Sequence, residues 1–275
     1  MENLNKLQSK NIVQFFGVIK AGREWVGLVM EYLRGGTLAD LVHDDSVILP
    51  VLLKINMIKD ISDGIAFIHG KHSGKTAVHG DLKLENILLN EHLVCKISDF
   101  GSAQFYTMTN SLSITRHTSQ AGSTAMYLAP ERHGDMFYVR CTRMEDIFSF
   151  GVLIQLLLTR QGERVQMQEL SSLLDQLKAS GDGRDCHIID LLDNLQKAAC
   201  NEDPTKRPTI NEIQKKVDDE LQGVSAAEIA SFVADVLKVY EIDELPNTAG
   251  FNIALKRVVK VQTHGIYFFY IISFF

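Results

Sequence analysis

Strand-like residues gather in the first 32 positions, and helical periodicity takes over after Gly35-Gly36. Asn11 to Val18 (NIVQFFGV) and Trp25 to Tyr32 (WVGLVMEY) are apolar, β-branched and aromatic, with a Gly22-containing turn between them. That pattern predicts a two-stranded hairpin. Leu4 and Leu7 stand three apart, as on one helical face, so Met1 to Leu7 reads as the last turns of a helix. Beyond Gly36, Leu38, Leu41 and Val42 open a short helix. Leu52, Leu53, Ile55, Ile58, Ile61 and Ile65 then mark a long one over Val51 to Ile68. Short strand-like pieces at Ile87 to Leu89 and Leu93 to Ile97 precede helices over Ile147 to Leu158, Gln166 to Leu177, Cys186 to Ala199 and Ile210 to Leu221. Strands first and helices later predict an α+β fold, not a repeating βαβ one.

With 275 residues, 45% apolar and 23% charged, the chain can bury an ordinary core, which excludes disorder, collagen and small disulfide scaffolds. A net charge of -6, from 28 basic and 34 acidic residues, argues against a nucleic-acid or membrane-surface binder. Cys95, Cys141, Cys186 and Cys200 are scattered with no CxxC pair, which predicts free thiols in a reducing, cytoplasmic setting. Met1-Glu2-Asn3-Leu4-Asn5 is polar and unlike a signal peptide. The run Ile266 to Phe275 (IYFFYIISFF) is half the roughly 20 residues a membrane helix needs, and reads as a buried strand or an accidental tail. Ala226 to Tyr240 is an amphipathic helix, with Ile229, Phe232, Val236 and Leu237 expected to pack on the preceding domain.

The chemistry-bearing residues are His79-Gly80-Asp81-Leu82-Lys83-Leu84-Glu85-Asn86, then Asp99-Phe100-Gly101, then Ala129-Pro130-Glu131. Any one of these acids alone would be a cap or turn residue. Together, in this order and spacing, they resemble a eukaryotic protein kinase. The resemblance implies a kinase-like fold with a mostly helical large lobe and an incomplete small lobe, ATP and Mg2+ as cofactors, and a protein substrate. Phosphoryl transfer depends on positioning and charge neutralisation more than on covalent catalysis. By the resemblance, Asp81 accepts the substrate hydroxyl proton, and Lys83 places a charge on the migrating group. Asn86 and Asp99 supply hard oxygens to magnesium.

The same resemblance makes Met30-Glu31-Tyr32-Leu33 the hinge, with Met30 as gatekeeper. The backbone of Glu31 and Leu33 would face adenine, with Leu88 as the floor beneath it. Thr124 matches the substrate-loop residue that bridges Asp81 and Lys83. Asp146 matches a buried acid that caps the catalytic-loop backbone, and Arg207 the structural partner of Glu131. His79 would be a packing residue, stacked with Phe100, Leu4 and Phe15, and not a base. Lys83 favours Ser/Thr chemistry. Gly35-Gly36-Thr37-Leu38 and the run from Asp203 to Thr209 look most like the tyrosine-kinase-like branch. Gly70 to Thr76 imitates a phosphate loop, but G-x-x-x-x-G-K-[ST] would need glycine at position 69, which is His69, so an exposed turn is expected there.

Two departures stand out. Gly80 replaces the arginine that in the family receives an activation-loop phosphate, so a phosphate between Thr107 and Ser119 would lack that receptor. No G-x-G-x-x-G or V-A-I-K-like run occurs, and Glu2 lies about 200° round a helix from Leu4. The resemblance spans residues 1–222, with a small-lobe remnant at 1–32, a large lobe at 37–222 and a tail at 223–275. Three readings stay open: a Ser/Thr kinase impaired in the chain as given, a non-catalytic kinase-like binding module, or an incomplete gene model of an active enzyme. Without further strands, the 11–32 hairpin is expected to expose Val13, Phe15 or their neighbours, with the aromatic tail a candidate cover.

Overall fold

The structure is a computed structural model that describes residues 9–21, 24–72, 75–100, 103–107, 123–132, 142–240, 261–263 and 266–268. The Met1 to Leu7 segment, Gly101 and residues 108–122 lie outside these.

Strands β1 (Phe15–Ala21) and β2 (Glu24–Met30) pair antiparallel, with Val18 opposite Leu28. The first strand begins four residues later than the apolar run suggests. Residues 11–13 belong to the helical lobe instead. Val13 N–H donates to Ile97 O at 2.9 Å, Ile97 N–H donates to Asn11 O at 2.9 Å, and Asn11 Nδ2 donates to Cys95 O at 2.9 Å. The exposure expected of Val13 is therefore wrong: it is 4% exposed, covered from the large lobe, whereas Phe16 is 51% exposed.

Helix α1 (Leu38–His43) starts at a capping box between Thr37 and Asp40. Helix α2 (Val51–His69) runs through the centre, with Ile55, Ile58, Ile61, Ile65 and Ile68 all buried. Helix α3 (Arg143–Thr159) is apolar on nearly every side beyond its first turn, the mark of a helix enclosed by others. It begins four residues before Ile147 because Thr142 and Glu145 form a capping box around a polar first turn. Helix α5 (Gly183–Ala199) likewise starts early, where the Asp182 carboxylate accepts from the amides of Arg184 and Asp185. Helices α4 (Met167–Ser180) and α6 (Ile210–Glu220) complete the lobe. Helix α7 (Ala226–Tyr240) packs on α2, burying Val233 and Val236.

Five short strands lie between α2 and the turn at 123–127. Strands β3 (Lys71–His72) and β4 (Lys75–Val78) form a hairpin, with Lys71 opposite Thr76, and β7 (Gln104–Thr107) joins β4 as the third strand. The segment expected to be an exposed turn thus carries paired strands at 71–72 and 75–76. Strands β5 (Ile87–Leu89) and β6 (Cys95–Ile97) pair in register, Leu88 opposite Lys96. Part of the aromatic tail forms a hairpin of its own, β8 (Val261–Thr263) with β9 (Ile266–Phe268). The whole is α+β, with a mostly helical large lobe and, among the described residues, a small lobe reduced to one hairpin. No described helix is long and apolar enough to cross a membrane.

Candidate active site

Helix α2 and strand β4 deliver the chain to the loop at 79–86, and α3 fixes that loop from below. Asp146, buried in the first turn of α3, accepts from the His79 amide at Oδ2 and the Gly80 amide at Oδ1, both at 2.8 Å. His69 Nε2, at the end of α2, lies 2.8 Å from the same Oδ2. Burial pushes the Asp146 carboxyl up, but the His69 hydrogen bond and the neighbouring His charges hold it below the usual range. Gly80 has φ +79°, a left-handed conformation that glycine adopts without penalty.

His79 is fully buried. Its Nε2 lies 2.8 Å from Ser98 O, and its ring meets Phe100 edge-on at 5.2 Å. Both ring edges are therefore engaged with protein, which suits packing and not proton transfer. Phe15 is half-buried at the start of β1, and Leu4 lies outside the described residues.

Asp81, Lys83 and Asn86 converge. Lys83 Nζ is 3.0 Å from Asp81 Oδ2. Asn86 Nδ2 donates to Asp81 O at 2.8 Å and to Oδ2 at 3.1 Å. Ser98 donates to Asn86 O through both its amide, at 2.8 Å, and its hydroxyl, at 2.9 Å, which brings the next residue, Asp99, beside the loop. Asp99 is exposed and left-handed, with φ +55°, a strained conformation of the kind that collects at functional sites. With its NH2 group committed to Asp81, Asn86 keeps its carbonyl oxygen for a ligand. Asn86 and Asp99 then offer two hard oxygens, which fits a magnesium ion completed by phosphate and water. Thr124 lies in the 3-10 turn Ser123–Tyr127, and its side chain is outside the described residues. Tyr127 at the end of that turn is nearby, accepting the Leu84 amide at its hydroxyl at 3.3 Å.

At the segment expected to be the hinge, Glu31 N–H donates to Gln14 O at 2.9 Å, which leaves its carbonyl as the backbone group for a ligand. Leu33 is buried, and Met30 and Leu88 are half-buried. The chain then presses against β5: a Cβ on Gly35 would meet Asn90 O and Leu89 Cβ at 2.7 Å. Farther off, Arg207 binds Glu131 through two parallel bonds of 2.6 Å. It also donates to the carbonyls of Asn201 and Met144 and stacks over Phe148 at 5.1 Å. Burial raises the Glu131 carboxyl, but Arg207 holds it below the ordinary range.

Sequence reasoning passes over His69, Lys96 and Arg132. Lys96 Nζ reaches the Glu31 carboxylate, and Arg132 faces Glu145. None of the three sits in a spacing pattern that would single it out.

A family model described as the protein kinase domain matches residues 1–217. The chain belongs to the protein kinase family. A probable serine/threonine-protein kinase of Dictyostelium discoideum is 30% identical over 220 residues, covering 79% of this chain and 49% of that protein. The dual specificity protein kinase shkC of the same organism is 28% identical over 219 residues, covering 78% and 41%. The brassinosteroid LRR receptor kinase BRI1 of Oryza sativa subsp. japonica is 29% identical over 231 residues, covering 76% and 20%. The kinase chain thus spans about half or less of the length of these relatives.

Proposed function

We propose that this kinase domain transfers a phosphoryl group from ATP to Ser or Thr hydroxyls of a protein substrate. The observation that carries the reading is the cluster on one loop of Asp81 with Lys83 and Asn86, each within 3.1 Å of the Asp81 carboxylate, the loop being anchored by Asp146. Asp81 takes the hydroxyl proton and orients that oxygen. Lys83 puts its charge beside the same acid, where the transferred group passes. Asn86 and Asp99 would hold magnesium, which neutralises charge on the phosphates when bound. The Glu31 carbonyl and the Leu33 backbone align adenine over Leu88. Residues 1–222 form the kinase domain, and residues 223–275 form a tail carrying α7.

The 275 residues contain no glycine-rich phosphate loop and no strand-lysine motif, and this favours a second reading, a binding module that holds nucleotide or protein without turnover. Losing a single charge-stabilising donor costs about a hundred- to a thousandfold in rate in other enzymes, so slow transfer is expected of this chain. The test is phosphorylation of a generic Ser/Thr substrate with magnesium-ATP, alongside nucleotide binding measured separately. Asp81→Asn is expected to abolish the residual turnover and leave nucleotide binding largely intact. Equal rates in the variant and the parent would remove Asp81 from its role, and with binding retained would select the second reading.

A further inference from the structure

The loop at 79–86 is held at both ends by one residue outside it. Ser98, which precedes Asp99, is 7% exposed. Its amide and its hydroxyl both donate to Asn86 O, at 2.8 and 2.9 Å, and its carbonyl oxygen lies 2.8 Å from His79 Nε2. Asp81 stands at the opposite corner. Its amide donates to His79 Nδ1 at 3.3 Å, and Asn86 Nδ2 donates to its carbonyl and its carboxylate. His79, Ser98, Asn86 and Asp81 thus close a ring of hydrogen bonds. The ring assigns the imidazole tautomer. A carbonyl can only accept, so Nε2 carries the proton; the Asp81 amide can only donate, so Nδ1 is bare.

We propose that Ser98 is a positioning residue that sets Asp81 from across this ring. Of its three bonds, the hydroxyl's alone depends on the side chain at 98, since the amide and the carbonyl would be there for other residues too. His79 and Asn86 are buried as well, so little water competes for these bonds, and neighbours in such a network strengthen one another. Removing the hydroxyl leaves Asn86 O with the Ser98 amide as its remaining bond in the ring. That loosens the end of the loop from which the Asn86 NH2 group holds Asp81. The same shift moves the Asn86 carbonyl oxygen relative to Asp99, the pair that would hold magnesium.

The test is nuclear magnetic resonance on the full 275-residue chain. The His79 ring, identified by its contacts with the Phe100 ring, is expected to show a protonated Nε2 and a bare Nδ1. A proton on Nδ1 would open the ring at Asp81 and overturn the proposal. Ser98→Ala is expected to speed hydrogen exchange of the Asp81 amide about three- to tenfold, the range that one buried hydrogen bond gives. The Cys95 amide is the control, because Asp60 holds it at 3.1 Å outside the ring. No acceleration at Asp81, or an equal acceleration at Cys95, would reduce Ser98 to a support of β6 and overturn its positioning role. The inference rests on the kinase reading of Asp81, Asn86 and Asp99, but neither readout needs nucleotide or turnover, so the two can fail separately.

Discussion

The Glu31 carboxylate accepts the Gln14 amide at 2.7 Å and Lys96 Nζ at 2.7 Å, so one side chain joins the approach to β1 to strand β6 of the large lobe. The two side chains are only 16% and 22% exposed, which shields the pair from much of the screening that weakens surface ion pairs.

Lys96→Met should loosen this tie at a cost of about 1 kcal/mol. Hydrogen exchange at the amides of Glu31 and Leu33 is expected to accelerate. Unchanged exchange at both would show that the hinge is held by its backbone alone.

Arg207 meets Glu131, three carbonyls and the Phe148 ring with one planar group, a set that an ammonium cannot reproduce. Arg207→Lys is expected to destabilise by about 3 kcal/mol in chemical denaturation. The pH dependence has a definite sign. The folded carboxyl of Glu131 lies below its unfolded value, so its stabilisation is present above the ordinary glutamate range and is lost as pH falls through the folded value. The stability gap between the parent and Glu131→Gln should shrink on acidification, and a gap that stays constant would contradict the pairing.

Asp146 serves two loop amides and His69 with two oxygens. Asp146→Asn would aim an NH2 group at a donor, leaving at least one buried group unmatched, at a cost of about 2–4 kcal/mol. His69→Ala should cost less, because both amides keep their acceptors. Exchange rates at His79 and Gly80 order the two variants, and equal protection in both would dismiss the scheme.

Lys54 is buried and donates to Leu158 O at 2.8 Å. Burial, then the nearby Arg160 charge, bring its pKa down to about 8. Because the unfolded lysine titrates near 10.4, the unfolded state binds more protons between these values, and stability contributed by this site rises with pH across that window. Lys54→Met should remove a rise of up to about 3 kcal/mol between pH 8 and pH 10.5. Parallel pH–stability curves for the two proteins would argue against a lowered pKa at Lys54.

The neighbourhood of Asp81, Lys83, Asn86 and Asp99 is legible in the sequence because the chemistry demands given residue types at close spacing. Helix positions are legible wherever an apolar stripe marks the buried face, as in α2. The polar first turn of α3 escapes that test, since Thr142 and Glu145 build it by capping. Strands β3 and β4 escape it too, because Lys71, His72, Lys75 and Thr76 carry no apolar alternation. His69, Lys96 and Arg132 matter through partners 77, 65 and 13 residues away that only the fold brings together, and Val13 is held by a backbone bond to Ile97, distant in the chain. No local pattern encodes such pairings.

Helix α7 lies past residue 217, where the family match stops, yet it buries Val233 and Val236 against α2. Inherited boundaries and folding boundaries therefore differ in this protein. Anyone splicing its catalytic lobe into a relative at the edge of the match would strip α2 of its cover and present a sticky apolar stripe to solvent. The helix has to travel with the lobe, as part of the same folded unit.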